Sequence, residues 1–246
     1  MNENFKIVIP ARLSSSRLPR KVLLDVAGKP LVQHVYERCI QVGASEVIVA
    51  TDSAEVADVV RGFTPDVVMT DINHASGTDR VAEVARLQGW SPETPVVNVQ
   101  GDAPMIPPES VRQVADLLLD NSDAALATLC VPIESAEEYA DTNVVKVTFD
   151  QTGRALYFSR SPIPSNAREP DVIPTAWRHL GLYGYRVSAL ERLTNTPPCD
   201  LELVEHLEQL RAMWLGMDIR IAPAVVPNGP DVDTEADLEQ VRRLLA

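Results

Sequence analysis

Lys6-Ile7-Val8-Ile9-Pro10 runs straight into Ala11-Arg12-Leu13-Ser14-Ser15-Ser16-Arg17-Leu18-Pro19-Arg20-Lys21, and this junction decides the fold. A short apolar run closed by a proline reads as a first strand buried on both faces, as strands of parallel sheets are. The segment beyond Pro10 has neither an apolar nor a helical period. It is a loop carrying four cations and three serines at the strand's carboxyl end, where open α/β sheets bind their ligands.

Outward from that strand, the same short β-branched runs recur at Glu46–Ala50, Val67–Met69 and Val96–Val99. Between them lie helical patterns at about 29–42, 53–61 and 78–88, the first read from Leu31, Val32, Val35, Cys39 and Val42. This alternation predicts an α/β fold with a mostly parallel sheet between helices. After a helix near 109–120 the texture changes: 124–131 and 144–149 read as strands, and 159–174, with four of the nineteen prolines, reads as a loop. His179–Tyr185 reads as a strand, and 201–215 as one helix burying a stripe of Leu203, Leu207, Leu210 and Trp214. A strand at 219–222 and a helix from about 235 close the chain. Neither an internal repeat nor a second independent domain is visible, so residues 1–246 are expected to form a single domain.

Composition narrows the function. At 27.0 kDa and 45% hydrophobic residues the chain is long enough to bury a sizeable core. No apolar run reaches the ~18 to 20 residues of a membrane span, so a soluble protein is expected. With 22 Lys+Arg against 35 Asp+Glu, the net charge of -13 repels a nucleic-acid backbone. Cys39, Cys130 and Cys199 are widely separated and in no metal-ligand spacing, and the N-terminus has no signal-peptide core; both fit the cytoplasm.

Against that acidic background the cationic loop stands out. Its amides and hydroxyls suit a polyphosphate that Arg12 and Lys21 would neutralise, although composition alone also allows a merely solvated loop. Gln100-Gly101-Asp102 follows a strand apolar on both faces, which delivers Asp102 to the same sheet edge, as a magnesium ligand or as part of a turn before Pro104. Thr234 and Asp237 have capping-box spacing, which leaves Asp231 and Asp233 unexplained and available as further carboxylates. Ser76-Gly77-Thr78-Asp79-Arg80 opens a helix, as a plain cap or as an approach to a base or ribose. Glu205, Glu208 and Gln209 fall opposite the leucine stripe, the position of a solvated face, and His179 has no nucleophile or metal cluster beside it.

Together these pieces resemble a known family. I-P-A-R-x-x-S-x-R-L-P-x-K from Ile9, G-K-P-L-V-Q-H-V-Y-E-R from Gly28, S-G-T-D-R from Ser76, N-V-Q-G-D-x-P from Asn98, R-H-L-G-L-Y-G-Y-R from Arg178, L-E-Q-L-R from Leu207 and V-D-T-x-x-D-L-E from Val232 look like the 3-deoxy-D-manno-octulosonate (Kdo) cytidylyltransferases, the CMP-Kdo synthetases of Gram-negative bacteria. The resemblance runs from Ile9 to the last helix. It implies a nucleotide-diphospho-sugar transferase-like, Rossmann-like mixed sheet with a small β-rich lobe at roughly 130–200 for sugar binding and dimerisation. It implies the reaction CTP + Kdo → CMP-Kdo + pyrophosphate, with Mg²⁺, in a homodimer serving lipopolysaccharide synthesis. By that similarity Ala11, Arg12, Lys21, Ser76, Gly77, Thr78, Arg80 and Gln100 would hold the nucleotide, and Asp102 and Asp233 the metal; Lys21, Arg12 and Asp102 would be catalytic. Arg160, His179, Tyr183, Glu208 and Gln209 would line the octulosonate pocket. Three residues depart from the family pattern: Ala103 for the usual Glu, Ala75 for a larger polar residue, and Arg20 for Gly. The first two are expected to bear on sugar choice, including an 8-amino octulosonate, and Arg20 to add charge on the phosphate side. The competing expectations are transfer to a sialic- or legionaminic-type sugar, and a nucleotide-binding regulator without turnover.

Overall fold

The structure is a computed structural model that describes residues 4–15, 17–169 and 172–245. Ser16 of the cationic loop, and residues 170 and 171 of the proline-rich stretch, lie outside the described residues. In chain order, β1 is Lys6–Pro10, β2 Asp25–Val26, β3 Lys29–Pro30, α1 Leu31–Cys39, β4 Glu46–Thr51, α2 Ala54–Arg61, β5 Val67–Met69, α3 Gly77–Leu87, β6 Pro95–Asn98 and α4 Pro108–Asp120. The second half gives β7 Leu126–Pro132, α5 Ala136–Ala140, β8 Lys146–Phe149, β9 Ala155–Ser159, β10 Trp177–Arg186, α6 Val187–Thr194, α7 Asp200–Glu205, α8 Gln209–Trp214, β11 Ile219–Pro223 and α9 Glu235–Leu245.

The main sheet runs β11-β7-β10-β6-β1-β4-β5, with β8 and β9 attached through β10. β1 pairs in parallel with β4 and β6, β4 with β5, and β7 with β11, while β10 runs antiparallel between β6 and β7. Strand alternation sends Ile7 and Ile9 to one face and Val8 to the other. Each side chain enters a different core, with Val111, Val114 and Leu118 of α4 on one face and Val81, Val84 and Leu190 of α3 and α6 on the other. Gly184 of β10 lets α4 close on the sheet, because a Cβ there would lie 2.8 Å from Val114 and Leu118.

The lobe is an outgrowth of the same sheet. Tyr183 to Arg186 of β10 pair with β6, so the amino-terminal half of β10 overhangs the carboxyl ends of β6 and β1. Trp177 and Arg178 there pair with β8, which pairs with β9. This carries His179 to the edge where the cationic loop lies. Beneath it, Lys146 is fully buried and donates to the carbonyls of Asp141, Val144 and Arg160 at 2.6–2.8 Å. Burial lowers its pKa, against the pull of Asp141.

Three sequence expectations are corrected. The helix expected at 201–215 is two short ones, α7 and α8, separated by His206 in a left-handed conformation at φ 53°. Leu207 and Leu210 are buried, but Leu203 and Trp214 of the expected stripe are 57% and 62% exposed. Tertiary bonds account for the break: Arg160 donates from Nε to the Glu205 carbonyl at 2.7 Å and from Nη2 to that of His206 at 3.5 Å, taking carbonyls that a continuing helix would use. Strand β9 and the helices α5 and α6 were not expected from the sequence pattern.

Arg20 is the third. It has φ 58°, the left-handed region that glycine enters without cost, and its guanidinium pairs with Glu55 of α2 instead of adding charge on the phosphate side. Arg20→Gly would remove the Cβ penalty of about 1 to 2 kcal/mol while losing an exposed ion pair worth under about 1 kcal/mol. The thermal midpoint is expected to stay or rise by a few degrees; a clear fall would show that the ion pair outweighs the backbone strain.

Candidate active site

The site is built where β1 and β6 end side by side. Gly101 N–H donates to the Pro10 carbonyl at 3.2 Å, and a Cβ at Gly101 would sit 2.7 Å from that oxygen, so only glycine permits the approach. The next residue, Asp102, meets Lys21, which a short 3₁₀ turn at Lys21–Leu23 presents from the cationic loop. Asp233 arrives from the other end of the chain: Val232 N–H donates to the Asp102 carbonyl at 2.9 Å, and Thr234 and Asp237 fix the adjoining turn through reciprocal capping bonds. Lys21 Nζ lies 2.5 Å from Asp102 Oδ2 and 3.0 Å from Asp233 Oδ1, and Arg17 lies 3.0 Å from Asp233 Oδ2. Desolvation works against the Lys21 charge, but its bonds and attraction to Asp102 and then Asp233 outweigh this and raise its pKa. Asp231 is pushed up to about 6, first by burial and then by the Asp102 and Asp233 charges.

Arg12, Ser14, Ser15, Lys21, Ser76, Gly77, Gln100 and Asp102 line one open cleft, with a cavity volume of about 160 Å³. Arg12 is exposed there and has no hydrogen-bond or ion-pair partner among the described residues. Ser76 lines the cleft and caps α3 in a full capping box with Asp79, its hydroxyl serving the helix.

Other expected nucleotide residues stand differently. Arg80 reaches the cleft wall but is buried, its guanidinium held by Asp52 at 2.8 Å and by Thr70. Ala11 is buried behind the wall against the Gly101 approach. Thr78 also sits behind it, donating its hydroxyl to Glu208 Oε1 at 2.6 Å. Ala103 lies in the apolar core at 5% exposure, so it does not face a sugar. Ala75 lines the cleft.

The Thr78–Glu208 bond joins this wall to the expected sugar residues and corrects the solvated reading of Glu208. Glu205 is likewise engaged, accepting from the Ser159 hydroxyl at 2.6 Å and from Arg160 N–H at 2.9 Å, and Gln209 is buried at the start of α8. The Tyr183 ring lies 5.1 Å from that of His179 and 5.7 Å from that of Tyr185, and its buried hydroxyl has no partner among the described residues. Burial, with Tyr185 and Glu208 adding to it, raises the Tyr183 pKa well above its ordinary value, so this hydroxyl remains a donor. Arg160 reaches this cluster through Glu205. Its guanidinium is committed to the carbonyls of Thr142, Glu205 and His206, which makes it a cap for α7.

His179 Nε2 lies 3.0 Å from Thr128 Oγ1, with Phe158 edge-on, and burial pushes its pKa down to about 3. A histidine kept neutral when folded takes up protons on unfolding, so stability falls as pH drops from about 6.5 toward 3. His179→Gln is expected to flatten that acid limb, read as a smaller difference between urea midpoints at pH 7 and pH 5. An unchanged difference would mean that another group sets it.

Among the described residues no group of three or more His, Cys, Asp or Glu is placed to hold a metal ion. Asp102 and Asp233 nevertheless converge on one cation, the Lys21 ammonium. Two hard carboxylate ligands at one cation position, with phosphate oxygens and water completing the shell, fit Mg²⁺. Sequence reasoning missed His74, which also lines the cleft; its only signal was a position just ahead of Ser76-Gly77-Thr78.

The comparisons agree with this geometry. The cytidylyltransferase family model matches residues 6–219. The 3-deoxy-manno-octulosonate cytidylyltransferase of Thioalkalivibrio sulfidiphilus is 49% identical, with 98% of this chain and 99% of the relative covered. That of Cellvibrio japonicus is 50% identical, with 98% of each covered. A solved CMP:2-keto-3-deoxy-manno-octonic acid synthetase complexed with CTP superposes with a TM-score of 0.90 at 45% identity, covering 98% of both chains. Fold, cleft and relatives together define a nucleotidyltransferase. More narrowly, the chain belongs to the cytidylyltransferase family.

Proposed function

We propose that this chain transfers the cytidylyl group of CTP to the anomeric hydroxyl of Kdo, giving CMP-Kdo and pyrophosphate for lipopolysaccharide synthesis. Relatives of that name align over the whole length of both proteins, which supports this substrate pair over the other acidic sugars. The observation that carries the chemistry is the meeting of Lys21, Asp102 and Asp233 beside the unpaired Arg12.

In the proposed reaction the anomeric hydroxyl gives up its proton to solvent and its oxygen forms a bond to the α-phosphorus while the bond to pyrophosphate breaks. The barrier is largely electrostatic, since two anions must approach and a third must leave. Arg12 and Lys21 offset charge on the triphosphate, and the Ser76–Gly77 backbone with Gln100 fixes the nucleoside. Glu208, Tyr183 and Gln209 hold the sugar on the side joined to Thr78, and His179 orders that wall. Asp102 and Asp233 would hold Mg²⁺, which when bound neutralises phosphate charge. Among the described residues no side chain in the cleft is arranged as a covalent nucleophile with its base. We also propose a homodimer in the cytoplasm; α7 exposes Leu201, Leu203 and Val204, an apolar surface suited to a second copy. No helix among the described residues is long and apolar enough to cross a membrane.

The experiment is pyrophosphate release from CTP with Kdo, 8-amino-Kdo and a sialic acid supplied in turn. Kdo is expected to exceed the others at least tenfold in kcat/KM; equal or better use of a sialic acid would overturn the sugar assignment.

A further inference from the structure

His74 lines the cleft but has no part in the phosphate, metal or sugar contacts. It sits on the loop between β5 and α3 and faces the space lined by Ser76, Gly77 and Gln100. Its ring is anchored from behind: Nε2 lies 2.6 Å from Glu83 Oε2, and the same oxygen accepts the Asp71 N–H at 2.8 Å. The Glu83 side chain is 14% exposed, with Arg86 3.7 Å from its second oxygen. Burial opposes its charge, but the bonds from Asp71 and His74 prevail and hold its pKa below the usual carboxylate value. One residue inside α3 therefore pins both the loop and the imidazole.

This anchoring sets the ring's chemistry. A carboxylate only accepts, so Nε2 carries a proton, and in the neutral ring Nδ1 is left as an acceptor. Nδ1 has no hydrogen-bond partner among the described residues. The neighbouring Arg80 guanidinium is held by Asp52 and Thr70, and the Gln100 amide lies beside Gly77. The same cleft is lined by Lys21, Arg12 and Asp102 and by His74 with the Ala75–Gly77 segment that follows it.

We propose that His74 is a specificity-determining residue for the nucleotide base, its Nδ1 accepting from an exocyclic amino group, with Glu83 as the positioning residue that fixes the ring. This rests on the cytidylyl reading and deepens it. Cytosine carries an amino donor at the position where uracil carries a carbonyl acceptor, and an acceptor aimed there favours the first and opposes the second.

The test is equilibrium binding of CTP and UTP by titration calorimetry to wild type, His74→Ala and Glu83→Gln, with thermal midpoints confirming that each is folded. Wild type should prefer CTP. His74→Ala should weaken CTP about tenfold, the value of one hydrogen bond to a positioned acceptor, while UTP changes less than twofold or improves, so that the ratio collapses. Glu83→Gln, which loosens the ring but leaves it in place, should lower the ratio in the same direction by a smaller factor. Equal weakening of both nucleotides would assign His74 to ribose, phosphate or loop structure, and an unchanged ratio in either variant would likewise overturn the proposal. Failure of wild type to bind CTP at all would instead sink the cytidylyl reading beneath it.

Discussion

Asp102→Asn is expected to lower kcat for pyrophosphate release by about 10²- to 10³-fold, and Asp233→Asn by a comparable factor. Each change is nearly isosteric and removes one negative charge from the point where Lys21 Nζ is held at 2.5 and 3.0 Å. The fold should survive, because each variant leaves Lys21 one carboxylate partner and Val232 still donates to the Asp102 backbone carbonyl. Both variants should bind Mn²⁺, used as a magnesium probe, more weakly, and the activity loss should be partly relieved at high metal concentration. Near-native turnover in either would remove that residue from the metal site.

Lys21→Met is expected to give a similarly large loss of turnover with the opposite effect on the metal. The Lys21 ammonium lies between the two carboxylates, which neutralise it and are neutralised by it. Removing it leaves Asp102 and Asp233 mutually repelling, with Asp231 nearby already pushed up to about 6 partly by their charges. That pair should then take up a divalent cation more tightly without nucleotide, by about tenfold, while kcat falls about 10²-fold or more for want of a cation on the phosphates. Mn²⁺ binding and turnover measured on the same preparation separate the two effects. A parallel fall in both would mean that Lys21 orders the carboxylates and does not compete with the metal.

These variants rest on residues the sequence exposed well. Asp102 and the loop from Arg12 to Lys21 were legible because both follow short strands apolar on both faces, whose carboxyl ends must lie on one edge of a parallel sheet. Asp231 and Asp233 were both left over once Thr234 and Asp237 had accounted for the cap, and only the family resemblance singled out Asp233. The sugar side was harder to read. Helical spacing placed Glu205 and Glu208 on a solvated face because nothing local announces the left-handed turn at His206, which depends on Arg160, forty-six residues earlier. The same residue, Arg160, carries its guanidinium bonds to carbonyls at the end of α7, a contact no local pattern announces. Thr78 read as a helix-start residue, and its bond to Glu208 spans 130 positions. His74 escaped notice for a similar reason, since its anchor is a helical glutamate that reads as surface charge. Local pattern thus fixed the strands, caps and cationic loop, while contacts between distant segments fixed the wall that joins Thr78 to Glu208.

That one cleft joins CTP to an acidic octulosonate is tested most directly by ³¹P NMR of a single reaction. With CTP, Mg²⁺ and Kdo present, the triphosphate resonances should give way to pyrophosphate and a new phosphodiester signal in equal amounts, with neither product formed when Kdo is left out. Phosphate or pyrophosphate released without a matching phosphodiester, or CTP left intact with Kdo and magnesium in excess, would contradict it.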